Sequence, residues 1–248
     1  MILGVFDSGL GGLTVLREII KRNTYDKIIY YGDTLRLPYG EKDHDTLLTY
    51  AREDIDFLIG KGAQEIVIAC GTVCSNVLDE VREEYPLPII GIIDALCKEA
   101  KEKTVNGRIG VIATPATVRS GVFSAKLADH DVCEVACRKF TPLIEADMAE
   151  SPKMDEAIEE YLAPLKERGI DTLILGCTHY PLLEDRIRRF FDGKIELINS
   201  GTIIARELQK GEIREAQLEF YVSGDPEDFR KKARRFIAVP EIENVKKI

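Results

Sequence analysis

Two cysteines, Cys70 and Cys177, stand at the ends of two apolar runs, Glu65-Ile-Val-Ile-Ala-Cys70-Gly-Thr72 and Thr172-Leu-Ile-Leu-Gly-Cys177-Thr178-His179. Each run ends in a small residue, a Cys and a nearby Thr, and a helical pattern follows each. A lone Cys at a strand end is usually buried filler. Two in matched context read as one site built twice, with two thiols facing one substrate. A thiol does no chemistry until it ionises, so its reference pKa of about 8.5 must fall, or a base must lie close. Both have candidate help. Each precedes a predicted helix, whose N-terminal amides and dipole favour a thiolate. His179 lies two residues beyond Cys177, in Cys177-Thr-His-Tyr-Pro181, and is a candidate acid or base. Asp7 ends the first apolar run, which should neighbour the Cys70 strand in a parallel sheet.

Other patterns carry less. Asp7-Ser-Gly-Leu-Gly-Gly12 follows a strand but fits neither G-x-G-x-x-G nor the P-loop with its Lys. It reads either as a tight turn with an N-cap or as an Asp and Ser placed to bind the ammonium and carboxylate of a small ligand. Cys70, Cys74, Cys133 and Cys137 form two C-x3-C pairs within the zinc range of spacings, but no zinc-knuckle context surrounds them, so no metal is expected. His44 and His130 sit in polar surroundings and are assigned to the surface.

These groups need elements to hold them. Strands are predicted at residues 2–6, 27–31, 66–69 and 88–92, with helices at 13–22, 46–61, 75–85 and 94–103. A second series of strands follows at 108–113, 132–136, 172–175 and 194–198, with a helix over 154–168. The tail offers a helix from about Thr202, a strand at 219–222 and a helix over 226–236, and could extend either sheet. Strands alternating with helices predict an α/β fold with parallel sheets. Two such units, facing each other across the carboxyl ends of their strands, would trap a ligand between them.

At 248 residues and 45% hydrophobic composition the chain can bury one large or two small cores. Lysine and arginine total 34 against 43 aspartate and glutamate, a net charge of −9 that argues against nucleic acid as a partner. The one basic cluster, Arg230-Lys-Lys-Ala-Arg-Arg235, is read as a solvated helix face. Six cysteines without a secretion signal indicate reduced thiols. No window approaches the roughly 18 apolar residues of a membrane span, so a cytoplasmic protein is expected.

At its chemical residues the chain resembles the glutamate racemases of the cofactor-independent aspartate/glutamate racemase superfamily. The matching stretches are Gly4-Val-Phe-Asp-Ser-Gly-Leu-Gly-Gly-Leu-Thr-Val-Leu16, Tyr31-Gly-Asp-Thr34, Pro38-Tyr-Gly40, Ile68-Ala-Cys70, Pro142-Leu-Ile-Glu145, Gly176-Cys-Thr-His-Tyr-Pro-Leu-Leu183 and Phe220-Tyr-Val-Ser-Gly-Asp-Pro226. They span nearly the whole chain in family order. The resemblance implies two pseudo-symmetric α/β domains, 1–93 plus 205–248 carrying Cys70 and 94–204 carrying Cys177, with the active site between them. It implies interconversion of L- and D-glutamate for peptidoglycan synthesis, without a pyridoxal or other cofactor, in a homodimer.

Carried over by motif, Cys70 deprotonates D-glutamate while Cys177 donates, and the roles reverse for L-glutamate. Asp7 assists Cys70, and His179, with Glu145 beside it, assists Cys177. Asp7, Ser8, Tyr39, Gly40, Gly71, Thr72, Thr178 and His179 are expected to contact substrate, and Thr114 and Thr117 to bind a carboxylate. Many members read Cys-Asn-Thr where this chain has Cys70-Gly71-Thr72. The missing amide removes a hydrogen bond of about 0.5–1.5 kcal/mol, and a water, Ser75 or Asn76 is expected to stand in for it. Three other readings compete: an aspartate or other amino-acid racemase, a one-thiol enzyme of the same superfamily, and a catalytically weakened protein that binds glutamate or a partner such as gyrase.

Overall fold

The computed structural model describes residues 1–209 and 211–248. Its ten strands are β1 (Ile2–Asp7), β2 (Lys27–Gly32), β3 (Glu65–Ile68), β4 (Ile89–Gly91), β5 (Arg108–Ala113), β6 (Asp131–Ala136), β7 (Thr172–Leu175), β8 (Glu196–Ile198), β9 (Gln217–Val222) and β10 (Lys246–Lys247). They form two sheets, ordered β10-β9-β2-β1-β3-β4 and β6-β5-β7-β8, in which every pairing is parallel. The inner strands β1, β3, β5 and β7 carry side chains buried on both faces, as parallel sheets covered by helices require.

The run β2-β1-β3-β4 in the first sheet has the same order as β6-β5-β7-β8 in the second. In each, the chain steps from the first strand to one side, then crosses back to the other, so the order reverses between β1 and β3 and between β5 and β7. Such reversal points leave a crevice at the carboxyl ends of the strands. Asp7 and Cys70 end or follow β1 and β3 at one crevice. Thr114 and Cys177 follow β5 and β7 at the other.

The tail belongs to the first sheet: β9 pairs with β2 from Lys27↔Gln217 to Gly32↔Val222, and β10 adds to β9. The helix Leu13–Lys21 packs on Ser200–Leu208, which also contacts Ile93–Lys103, so helices join the two halves. Among the described residues no helix is long and apolar enough to cross a membrane.

Local departures from the sequence reading have visible causes. The helix expected over 75–85 is two helices, Gly71–Asn76 and Leu78–Glu84, separated at Val77 where φ is −138°. Short helices at Pro115–Ser120, Val122–Lys126 and Phe140–Glu145 were not expected, because five or six residues do not complete two periods of the 3.6-residue pattern. His130 is only partly at the surface, its side chain being 17% exposed. The basic cluster is not wholly a solvated face. Its helix stops at Ala233, and Arg235 turns inward to donate to the backbone carbonyls of Ile144 and Glu145.

Candidate active site

The two crevices open into one cavity of about 400 Å³ whose walls come from both halves. Ser8, Tyr39, Gly40, Cys70, Gly71 and Thr72 line it from the first half, and Thr114, Glu145, Cys177, Thr178 and His179 from the second. The two cysteines, 107 positions apart in sequence, therefore face the same space.

On the first side, Cys70 immediately precedes the helix Gly71–Asn76, and its Sγ approaches Ser8 Oγ at 3.6 Å. Asp7 does not reach the cavity surface. It is fully buried behind it, where Oδ2 accepts from the Gly9 amide at 3.0 Å and Oδ1 from Thr178 Oγ1 at 3.2 Å. Burial raises the Asp7 pKa against the opposing pull of His179. Burial, reinforced by the Asp7 carboxylate, pushes the Cys70 thiol up to about 12. This is opposite to the lowering expected from the helix N-terminus: desolvation and a neighbouring anion outweigh the dipole of so short a helix. Burial thus favours the thiol form of Cys70, the form that donates a proton.

On the second side the helix expected directly after Cys177 is preceded by a tight turn, Tyr180–Leu183, and begins only at Glu184. The help for this thiol comes from side chains. His179 Nδ1 lies 3.8 Å from Cys177 Sγ, and its Nε2 lies 3.0 Å from Glu145 Oε1. Burial alone would lower the imidazole pKa, but its hydrogen bonds to Cys177 and Glu145, and their charges, raise it to about 10. The ring is held edge-on by Phe236 of the C-terminal segment, with centroids 5.7 Å apart. Cys177, His179 and Glu145 thus form a relay that can carry or hold a proton.

The remaining predicted residues divide between wall and support. Thr114 Oγ1 lies 2.9 Å from Thr72 Oγ1 across the cavity wall, and 3.1 Å from Thr117 Oγ1. Thr117 is fully buried behind Thr114 and is not part of the lining. The Tyr39 hydroxyl points away, bonded to the carboxylates of Asp33 and Asp54, which also hold Arg36. That buried knot anchors the loop carrying Tyr39 and Gly40.

Ser75 and Asn76 do not replace an amide at position 71. Ser75 Oγ donates to the Thr72 carbonyl and contacts Thr117, Asn76 Nδ2 donates to the Thr72 carbonyl, and neither lines the cavity. Gly71 itself is in close contact with the other half. A Cβ there would be driven into the carbonyl oxygen of Gly176, well inside van der Waals distance. A Cβ at Gly11 would likewise strike Thr178 and His179.

Cys137 and Thr141 also line the cavity, and sequence reasoning missed them. Thr141 Oγ1 lies 3.7 Å from Cys177 Sγ. Reading Phe140–Glu145 as a helix would have found it, because Thr141 and Glu145 are four residues apart and share a face.

Residues 31–208 match the Asp/Glu/Hydantoin racemase family. The glutamate racemase of Desulforudis audaxviator is 40% identical over 254 aligned residues, covering 95% of this chain and 93% of that protein. The crystal structure of a glutamate racemase from Bacillus anthracis has a TM-score of 0.92 at 30% identity and covers 100% of this chain and 97% of that one. The glutamate racemase of Francisella tularensis, solved in complex with D-glutamate, has a TM-score of 0.89 at 30% identity over 99% of this chain and 96% of that one. Two parallel sheets of matched strand order, a shared cleft and these relatives place the chain in one group: it belongs to the Asp/Glu/Hydantoin racemase family.

Proposed function

We propose that this protein interconverts L- and D-glutamate by proton transfer between two thiols and Cα. The observation that carries the reading is that Cys70 and Cys177, each at the reversal point of its own sheet, line the same cavity. Inverting Cα requires a proton to leave one face and another to arrive on the opposite face, and thiols on opposed walls suit this without moving the substrate.

For D-glutamate, Cys70 thiolate takes the Cα proton as the C–H bond breaks, and the Cys177 thiol delivers its proton to the other face. For L-glutamate the roles exchange, so the enzyme alternates between two protonation forms. The form with Cys70 protonated, which burial favours, is the one poised for L-glutamate, with Cys177 as base. His179, backed by Glu145, holds the proton that Cys177 gives up. Asp7 orients the Cys70 side from behind, bonded to Thr178 of the other half.

Ser8, Tyr39, Gly40, Gly71, Thr72, Thr114, Thr178 and His179 are assigned to substrate binding. Thr117 acts through Thr114. Hydrogen bonds to the substrate carboxylate stabilise the carbanion-like transition state.

The test is exchange of the Cα hydrogen of glutamate with solvent deuterium by the purified chain. Exchange with both enantiomers is expected, and its absence with both refutes the reading. Cys70→Ser and Cys177→Ser should each abolish racemisation. Full racemisation by both single variants refutes the two-thiol mechanism.

Further assignments rest on the family resemblance: division into 1–93 plus 205–248 and 94–204, a homodimer, a cytoplasmic location and supply of D-glutamate to peptidoglycan. Membership of β9 and β10 in the first sheet supports the division, although the helix Ser200–Leu208 runs through its second boundary. Sedimentation of the purified chain at the mass of two copies tests the dimer.

A further inference from the structure

Proton transfer at Cα does not use one pair of residues at the cavity wall. Glu41 ends the short turn Tyr39–Glu41, next to Gly40, and Arg138 is the first residue past Cys137. Both line the cavity, and Arg138 Nη1 donates to Glu41 Oε1 at 2.8 Å. Glu41 follows β2 and Arg138 follows β6, the equivalent strands of the two sheets, so the bond runs from one half to the other. Their side chains are 52% and 60% exposed, which puts the pair where the cavity meets solvent.

Charge gives the pair its meaning. Arg138 is the only Lys or Arg among the described residues lining the cavity, where the carboxylates are Glu41 and Glu145. The protein carries a net charge of −9, and an amino acid with two carboxylates arrives as an anion. The overall field repels such a substrate, so a local cation at the entrance matters for capture. A guanidinium binds a carboxylate through two parallel hydrogen bonds, a geometry that Glu41 and an incoming carboxylate can each satisfy. An exposed ion pair of this kind is weak, so exchange of one carboxylate for another costs little.

We infer that Arg138 captures a carboxylate of the incoming dicarboxylic amino acid, and that Glu41 holds the guanidinium across the cavity entrance until the substrate displaces it. This rests on the racemase reading above. It makes Glu41 and the substrate carboxylate competitors for the Arg138 guanidinium, and gives neither residue a part in proton transfer.

The test is steady-state racemisation of glutamate by the full chain and its R138Q, R138K and E41Q variants, at low and moderate salt, with melting temperatures measured alongside. R138Q should raise KM about 3- to 10-fold with little change in kcat, and R138K should recover part of the loss. E41Q should shift KM the other way, lowering it about twofold, because the guanidinium is released. Added salt screens the repulsion between the protein and its substrate, so it should raise kcat/KM more in R138Q than in the unmodified chain. If R138Q and E41Q shift KM in the same direction in step with melting temperature, the pair is only a structural tie and the inference is overturned. An unmodified chain that turns over glutamate, with R138Q of unchanged KM and salt response, overturns the inference alone. An unmodified chain without Cα exchange overturns the racemase reading and this inference with it.

Discussion

At the scale of single residues, the chemistry was legible where a side chain's neighbours in sequence are also its neighbours in space. Cys177 and His179 are two positions apart and touch, and Cys70 follows a strand that pairs directly with the one ending in Asp7. What sequence could not show is the environment that sets protonation. The burial and the Asp7 carboxylate that push Cys70 up to about 12 arise only when β1 and β3 pair and the second half closes over them. Gly71 gives the sharpest lesson. Read alone it is a lost hydrogen bond, but in the structure it is the point where the loop after Cys70 meets the carbonyl before Cys177. Restoring the amide should therefore harm the enzyme. Gly71→Asn is expected to lower kcat/KM tenfold or more and to lower the melting temperature, since forcing extra atoms into a packed contact costs about 1–3 kcal/mol. Tighter glutamate binding by that variant, at unchanged stability, would show that the contact yields freely.

At the scale of elements, long segments with clear periodicity were readable and short ones were not. The strand 108–113 was read with its observed bounds, whereas Phe140–Glu145 was missed, although it carries Glu145 and Thr141 to the second thiol. So short a helix does not hold itself, because nucleation is costly and little propagation follows. It is held from outside. Arg235 Nη1 donates to the Ile144 carbonyl at 3.1 Å and to Asp147 at 2.7 Å, and Nη2 donates to the Glu145 carbonyl at 3.2 Å. The C-terminal segment thus fixes the helix that fixes Glu145, which with Cys177 raises the His179 pKa. Arg235→Ala is expected to destabilise the protein by about 1–3 kcal/mol, given the usual worth of charge-assisted hydrogen bonds. It should also shift the alkaline limb of the kcat/KM profile to lower pH, since a loosened Glu145 supports the imidazolium less. Arg235→Lys should restore part of both. A variant that melts earlier but keeps its pH profile would confine Arg235 to stability.

At the scale of the whole molecule, the repeated strand order explains why two distant thiols can share one cavity: each sheet offers its reversal point, and the halves meet there. Closing them buries ionisable groups, and that burial makes global stability depend on pH in a definite direction. His179 is raised from 6.5 to about 10, so between those values the folded protein holds a proton that the unfolded chain has released. Its contribution is fully present below pH 6.5 and is lost as pH rises through about 10. Cys70 and Cys97, both raised from 9.0 to about 12 chiefly by burial, extend the same loss into more alkaline solution. Folding free energy from denaturant titrations should therefore fall steadily from pH 6.5 to 10. His179→Asn, which cannot take up the proton, should flatten that decline between pH 6.5 and about 9, leaving the region above pH 9 to the thiols. Parallel curves for the two proteins between pH 6.5 and 10 would mean that the imidazole gains no proton affinity on folding. The hydrogen bonds joining it to Cys177 and Glu145 would then be too weak to hold the proton that racemisation requires of this side of the cleft.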